Sequence, residues 1–309
     1  MINHSSSISF IIPAFNCAKT LVETVNSIYN NNFKTGDEVI IVDDASTDNT
    51  YEIATDLIKK FEGIKLIKHP FNKGTAAAGR NTAMEIATNE LFFCIDADNI
   101  LMPNSIQLLK EFMINEKADT AAFNEIHYFL ENDPNKNISH KWFFKNGVIS
   151  LSDALAGAVW PGPSGNYMLT KQCWLKSGRY HEFVGGAIDS WAFGIKQLIN
   201  NSKMVTLPNS FYLHRYGYDS TYVRDARKLS VSLQALPILL PILNQINEED
   251  VELIMGKKGR TSWLENKIPI RLKNQENGET GRIEYINKVI QVKKTNILSK
   301  IIKKLGYNG

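Results

Sequence analysis

Residues 91–98 read Leu-Phe-Phe-Cys-Ile-Asp-Ala-Asp. Five consecutive apolar side chains without polar alternation are the pattern of a short strand covered by helices on both faces. Two aspartates at alternate positions end it, so both carboxylates leave the chain on the same face. Hard oxygen ligands in that arrangement suit Mg²⁺ or Mn²⁺ holding a diphosphate, and such a cation neutralises a departing diphosphate as a Lewis acid. An isolated Asp-x-Asp is ordinary turn chemistry. Its place after a buried strand makes Asp96 and Asp98 candidate site residues.

Three comparable runs precede it: Ile8-Ser-Phe-Ile-Ile, Val39-Ile-Ile-Val and Ile64-Lys-Leu-Ile. Between the first two, Leu21, Val22, Val25, Ile28 and Tyr29 recur at the helical interval; Ile53, Ala54, Leu57, Ile58 and Phe61 do so before the third. Asn16 and Asp48 are of the residue types that cap helix N-termini. A further helix starts after Pro103 and runs through Ile106, Leu109 and Met113, and another apolar run spans Ala118 to Phe123. From Ser7 to about Asn124 this alternation predicts βαβ units and a mainly parallel sheet. Glu131 to Gly147 reads as a polar loop or hairpin. Beyond Ser150 the pattern predicts a short helix, a turn cluster at Trp160-Pro-Gly-Pro-Ser-Gly, helices near Lys171 and from Asp189 to Asn200, and strands at Met204–Leu207 and Phe211–His214.

In an open parallel sheet, ligands bind outside the carboxyl ends of the strands. Here those ends carry Pro13-Ala14-Phe15-Asn16, Asp43-Asp44-Ala-Ser-Thr-Asp48 and Asp96-Ala97-Asp98, while the loop after the third strand supplies Asn72-Lys73-Gly74-Thr and then Arg80-Asn81. Packed carboxylates repel one another unless a cation or hydrogen-bond donors stand among them. A carboxylate at Asp43 or Asp44 can accept from a base imide N–H or from ribose hydroxyls. Lys73 and Arg80 are candidates for base or phosphate contact, near Gly74, which lets backbone approach closely.

Composition narrows the class. Of 309 residues 43% are hydrophobic and 22% charged, enough apolar mass for one large domain or two modest ones. The longest nearly unbroken apolar run, Ala235 to Leu243, holds Pro237 and Pro241 and is too short for a hydrocarbon core of roughly 30 Å. The first residues, Met1-Ile-Asn-His-Ser-Ser-Ser, have neither basic nor apolar regions of an export signal, so a cytoplasmic protein is expected. Cys17, Cys94 and Cys173 are far apart and read as reduced thiols. The net charge of +3 conceals a division: residues 257–309 hold 13 Lys/Arg against four Glu, leaving the preceding body acidic. That argues against a nucleic-acid groove in the body. In the tail, Ile297, Leu298, Ile301, Ile302 and Leu305 share one helical face with Lys300, Lys303 and Lys304 off it. Such a basic amphipathic helix either lies on an anionic leaflet, at the inner face of the cell membrane, or docks on the body.

Taken together, Ile8-Ser-Phe-Ile-Ile-Pro-Ala-Phe-Asn, Ile41-Val-Asp-Asp-Ala-Ser-Thr-Asp-Asn-Thr, Asn72-Lys-Gly-Thr-Ala-Ala-Ala-Gly-Arg-Asn and Ile95-Asp-Ala-Asp resemble, in order, the family 2 glycosyltransferases of the GT-A fold. The resemblance covers roughly residues 7 to 130. It implies an α/β, Rossmann-like catalytic domain over 1–228, with nucleotide-sugar binding in about 7–130 and the acceptor and base region in about 131–228, followed by a small helical, basic extension over 229–309. The implied reaction is transfer of a sugar, usually from a UDP-sugar and with a divalent cation, to a glycan or lipid-linked acceptor with inversion. Pro13, Ala14 and Asn16 would line the nucleoside pocket, with Phe15 beside them. Asp44 would pair with the base and Arg80 would sit near base or phosphates. Asp96, followed by Ala97, would contact ribose and metal, and Asp98 would be the direct metal ligand.

One-step inversion needs a general base for the acceptor hydroxyl. The family carries it in a Glu-Asp pair after a Gly-rich segment; here Ile188 replaces the Glu and Asp189 remains, with Glu182 and Asp225 as weaker candidates. Some members complete the metal or diphosphate site with a His after the base helix, which points to His214, or to Arg215 as a phosphate contact. Trp160 and Trp191, next to Gly-rich turns, are candidate acceptor-stacking residues. Two other classes compete. A nucleotidyltransferase would want a Gly-rich basic loop after strand one, where Pro13-Ala-Phe-Asn stands; a catalytically silent relative would not need Asp96, Asp98 and Asp189. A nicotinamide enzyme is disfavoured because no Gly-x-Gly-x-x-Gly follows a strand.

Overall fold

The computed structural model describes residues 2–156, 165–182, 186, 188–217, 229–257 and 259–286. The chain opens as β1 (Ile8–Ala14), α1 (Leu21–Tyr29), β2 (Glu38–Asp43), α2 (Thr50–Lys60), β3 (Ile64–Lys68), α3 (Ala76–Ile86) and β4 (Leu91–Cys94). Strands β3, β2, β1 and β4 lie side by side in that order, all parallel. The chain therefore builds outward from β1 to β3 and returns to pair β4 on the other side of β1. The crevice at such a reversal of strand order is where ligands settle, and here it separates Pro13–Asn16 from Asp96–Asp98.

The unbroken apolar runs are explained by two cores. On one face Phe10, Ile12, Val39, Ile41, Leu91 and Phe93 pack against Leu21, Val25, Ile28, Ala54 and Leu57 of α1 and α2. On the other, Ile11, Ile40, Val42, Phe92 and Cys94 meet Ala77, Ala83 and Met84 of α3. Successive side chains point to opposite faces, so a strand buried on both sides has no polar position to spare. Each fully buried Ile, Val or Phe contributes roughly 1.5–3 kcal/mol.

Beyond β4 follow β5 (Ile100–Leu101), α4 (Ser105–Asn115), β6 (Thr120–Leu130), β7 (Ile138–Phe143), β8 (Gly147–Ile149), α5 (Leu151–Ala154), β9 (Tyr167–Thr170), α6 (Lys171–Lys176), α7 (Asp189–Ile199) and β10 (Met204–Tyr216). Strand β9 is antiparallel to both β4 and β6, and β10 runs parallel along the other edge of β6. The segment read as a loop or hairpin after Glu131 is the turn and second strand of a β6–β7 hairpin. The two strands expected at 204–207 and 211–214 are one strand, β10, interrupted by a bulge. Pro208 has no N–H to give the ladder, Asn209 takes a left-handed φ of 55°, and Ser210 N donates to Asn124 Oδ1 at 2.9 Å.

Past residue 228, the helix Val231–Leu239, a 3₁₀ turn at Leu240–Gln245 and the helix Glu248–Met255 share a third core with α5 and α7, around Ile195, Ile238, Ile254 and Trp263. The extension is not purely helical: β11 (Arg282–Tyr285) adds a strand antiparallel to β7 at the sheet's edge. The basic amphipathic segment 297–305, Trp160 and Asp225 lie outside the described residues. Among the described residues no helix is long and apolar enough to cross a membrane.

Candidate active site

The loops after β1 and β2 are stapled to each other. Asn16, at φ 51°, accepts from Thr47 N through Oδ1 at 2.8 Å and donates its own N–H to Ser46 Oγ at 3.0 Å. Asp48 accepts from Ala18 N at 3.2 Å and from Thr50 N at 3.0 Å, and Cys17 N donates to Thr50 Oγ1 at 2.8 Å. Neither residue caps its helix as the sequence suggests: Thr20 and Asn49 hold the cap positions without side-chain cap bonds. Pro13 and Ala14 are thereby held at the floor of the crevice, with Asn16 and Phe15 at its rim.

The adjacent aspartates differ in what they are free to do. Asp44 is saturated: its carboxylate accepts from Lys73 N at 3.0 and 3.1 Å and from Gly74 N at 3.2 Å, and bonds His69 Nδ1 at 2.6 Å. It holds the 69–74 loop in place, where Gly74 takes a φ of 81° that a side chain would strain. Asp43 is fully buried; Oδ1 accepts from Ser46 N at 3.2 Å, and Oδ2 has no partner. A buried carboxylate oxygen without a donor costs free energy, so Asp43, not Asp44, presents the open acceptor. Lys73 binds through its backbone N–H and its side chain is exposed.

Arg80 lies on α3, not in a loop, and the neighbouring Gly79 brings the helix against β1: a Cβ there would meet Pro13 Cβ at 3.0 Å. The guanidinium is 3% exposed and bridges two carboxylates, Asp96 Oδ1 at 2.6 Å and Asp189 Oδ2 at 2.8 Å, above the Tyr180 ring. Burial alone would lower its pKa, but Asp189 and Asp96 drive it upward and keep the charge. The base candidate Asp189 opens α7 and also accepts from Ser190 N at 2.7 Å. Burial lifts its carboxyl above the ordinary range, while Arg80 pulls it back. Arg80 is committed to these carboxylates rather than free for phosphate.

Asn81 anchors the approach to Asp189. Its Nδ2 donates to Tyr180 O at 3.0 Å and Glu182 Oε1 at 2.9 Å, and its Oδ1 accepts from Trp174 Nε1 and Tyr180 N, both at 3.1 Å. Asn166, just before β9 beside β4, fixes Asp96: Asp96 N donates to Asn166 Oδ1 at 3.0 Å, and Asn166 Nδ2 reaches Asp96 Oδ2 at 3.3 Å. A side chain at Gly165, whose φ is 94°, would collide with that carboxylate. Sequence reasoning missed Asn166 because its partner lies 70 positions away.

No described side chain hydrogen-bonds the Asp98 carboxylate, which burial and then the Asp96 charge push up to about 7. Its backbone is held: Arg215 Nε donates to Asp98 O at 3.2 Å, and Ala97 O accepts from Thr20 Oγ1 at 2.9 Å. Arg215 is otherwise engaged with Glu23 and with Glu131 O at 3.0 Å, so it braces this loop and is not free for phosphate. Two hard carboxylates fit a Mg²⁺-type cation, which takes one or two from protein and the rest from phosphate and water. His214 stands on β10, one residue before Arg215, with Nδ1 buried and unpartnered. Its ring packs on Tyr128 at 4.5 Å, and burial, followed by His140, brings its pKa down to about 4. Trp191 is not at an acceptor surface; it is 6% exposed in the third core, 6.3 Å from the Trp263 ring.

A parallel βαβ half-sheet with carboxylates at its switch point is an arrangement in which α/β proteins bind ligands, and the chain belongs to glycosyl transferase family 2, whose model matches residues 9–172. The fold is GT-A: the S. aureus TarS 1–349 complex with UDP-GlcNAc superposes with a TM-score of 0.62 over 85% of this chain and 76% of that one, at 20% identity. Among curated relatives, the glycosyltransferase GlyG of Streptococcus pneumoniae is 28% identical over 222 residues, covering 68% of this chain and 71% of GlyG. The GalNAc(5)-diNAcBac-PP-undecaprenol β-1,3-glucosyltransferase of Campylobacter jejuni is 26% identical over 81% of this chain and 76% of its own length. The UDP-Glc:α-D-GlcNAc-diphosphoundecaprenol β-1,3-glucosyltransferase WfaP of Escherichia coli is 36% identical over 41% of this chain, and the match spans 47% of WfaP.

Proposed function

We propose that this glycosyltransferase moves a sugar from a UDP-sugar, with inversion, to a hydroxyl of a glycan or lipid-linked acceptor in surface or secreted glycan synthesis. The observation that carries the reading is the Arg80 bridge, which sets the donor-side Asp96 and the base candidate Asp189 on either side of one buried guanidinium. Asp43 Oδ2, buried without a partner, accepts the base imide N–H. Pro13 and Ala14 floor the nucleoside pocket, and Lys73 and Gly74 border it. Asp98 and Asp96 would hold Mg²⁺ or Mn²⁺, which when bound supplies charge neutralisation for the leaving diphosphate. Asp189, whose carboxylate is paired with Arg80 at 2.8 Å, takes the acceptor proton.

The relatives support the donor and acceptor classes: WfaP is named for UDP-Glc, and both it and the C. jejuni enzyme for undecaprenyl-diphosphate-linked glycans. Attachment of the basic tail to the inner leaflet of a cytoplasmic membrane would fit a lipid-linked acceptor. Retention of all three aspartates favours catalysis over a silent binding role. The test is thermal: UDP with Mn²⁺ should raise the melting temperature through binding linkage, and Asp98→Ala should remove most of the shift. Asp189→Asn should keep the shift and lose turnover. No shift with UDP or any other nucleoside diphosphate would sink the donor assignment, and unchanged turnover in Asp189→Asn would remove it as base.

A further inference from the structure

A row of rings crosses four strands beside the Asp98 loop. His214 on β10, Tyr128 on β6, His140 on β7 and Tyr285 on β11 stand directly opposite one another in register. Neighbouring centroids are 4.5, 4.4 and 5.6 Å apart, so the rings follow the strand spacing. Tyr128 and His140 stack within 10°. The outer pairs are tilted, His214 by 45° to Tyr128 and Tyr285 by 31° to His140. Trp142 flanks the row at 5.5 Å from Tyr128, and Tyr285 at the outer end is 61% exposed.

The row is not finished as a core would be. His214 Nδ1 is buried with no partner. Buried polar atoms in a completed core are paired. His140 Nδ1 lies 2.8 Å from Ser139 Oγ. Burial brings both imidazoles down to about 4, so near neutral pH the row offers uncharged donors and acceptors rather than an anion site. Its inner end is one residue along β10 from the brace of the Asp98 loop: Arg215, next to His214, donates from N to Asn99 Oδ1 and from Nε to Asp98 O, both at 3.2 Å.

We propose that this row is the acceptor subsite, and that its occupant is a neutral oligosaccharide lying across the strands. Sugar hydroxyls would bond the ring-edge nitrogens and oxygens, and apolar sugar faces would rest on Tyr285 and Trp142. The proposal rests on the glycan-acceptor reading above and adds where that acceptor lies. Neutral polar tips on apolar rings match alternating hydroxyl and C–H surfaces, and an occupant at the His214 end would lie beside the strand segment, Arg215, that braces the Asp98 loop.

The test uses the full chain on an array of neutral and anionic oligosaccharides, followed by calorimetric titration of the best neutral binder. Tyr128→Phe and Tyr285→Ala should each weaken that glycan roughly five- to tenfold, as loss of one hydrogen bond or one ring contact does. Lys141→Ala, on the opposite face of β7, should bind as the parent does. The melting shift with UDP and Mn²⁺ in the two ring variants reports their fold and the donor half separately. Equal glycan affinity in all four proteins, binding confined to anionic glycans, or no neutral glycan bound by the parent would each overturn the assignment. A parent without any UDP shift would instead refute the donor reading.

Discussion

Replacing Arg80 by alanine removes a cation that is 3% exposed and leaves two carboxylates, Asp96 and Asp189, facing each other across the space it filled. Breaking a buried ion pair from one side costs about 3–5 kcal/mol, because the remaining charge is uncompensated. With two partners stranded, the upper part of that range is expected at pH 7, measured by urea unfolding as a change in midpoint at constant slope. The pH dependence has a definite sign. Burial raises the Asp189 carboxyl and losing Arg80 removes the charge that pulls it back; a group raised in the folded state contributes stability at low pH that is lost as pH rises through its folded pKa. The gap between parent and Arg80→Ala should therefore shrink as pH falls from 8 to 5. Adding Asp189→Asn to the variant should recover part of the loss, and the double-mutant cycle isolates the coupling. A loss under about 1 kcal/mol at pH 7, or one independent of pH, would show that the bridge is not holding this site together.

Asp43→Asn should weaken UDP by roughly ten- to a hundredfold, the range for a hydrogen bond to a charged group, whereas Asp44→Asn should act first on the 69–74 loop; equal UDP affinity for parent and Asp43→Asn in calorimetry would overturn the assignment. Glu38 has its pKa brought down to about 2: burial would raise it, but Lys65, Ser9 and Thr88 outweigh that. Its contribution, about 3 kcal/mol from that shift, is present above pH 4.5 and lost as pH falls through about 2, so Glu38→Gln should destabilise at pH 7 and converge on the parent in acid unfolding. Trp191→Ala should cost about 3–5 kcal/mol as a core truncation; a variant of normal stability with only a raised acceptor KM would contradict its packing.

Much of the fold was legible because its signals are local. An apolar run of four or five residues, a helical repeat behind it and a polar strand end are all read within about a dozen positions, and the βαβ order follows from repeating them. The same locality explains the errors. Met204–Leu207 and Phe211–His214 look like two strands because Pro208 and Asn209 carry turn chemistry, yet β6 pairs with both halves and the interruption becomes a bulge. Trp191 sits next to a Gly-rich turn, yet α7 delivers it into the core shared with the extension.

Sequence by itself determined the parallel half-sheet, the carboxylates at its strand ends and the family to which they belong. Tertiary structure alone decided which of those carboxylates are spent and which are free. Asp43 and Asp44 are neighbours of identical chemistry, and the 69–74 loop saturates one while burial leaves the other open. Arg80 and Asp189 are 109 positions apart, and nothing local marks them as partners. Secondary structure follows from a residue's neighbours along the chain, but whether a polar atom is satisfied depends on what the fold brings to within 3 Å of it.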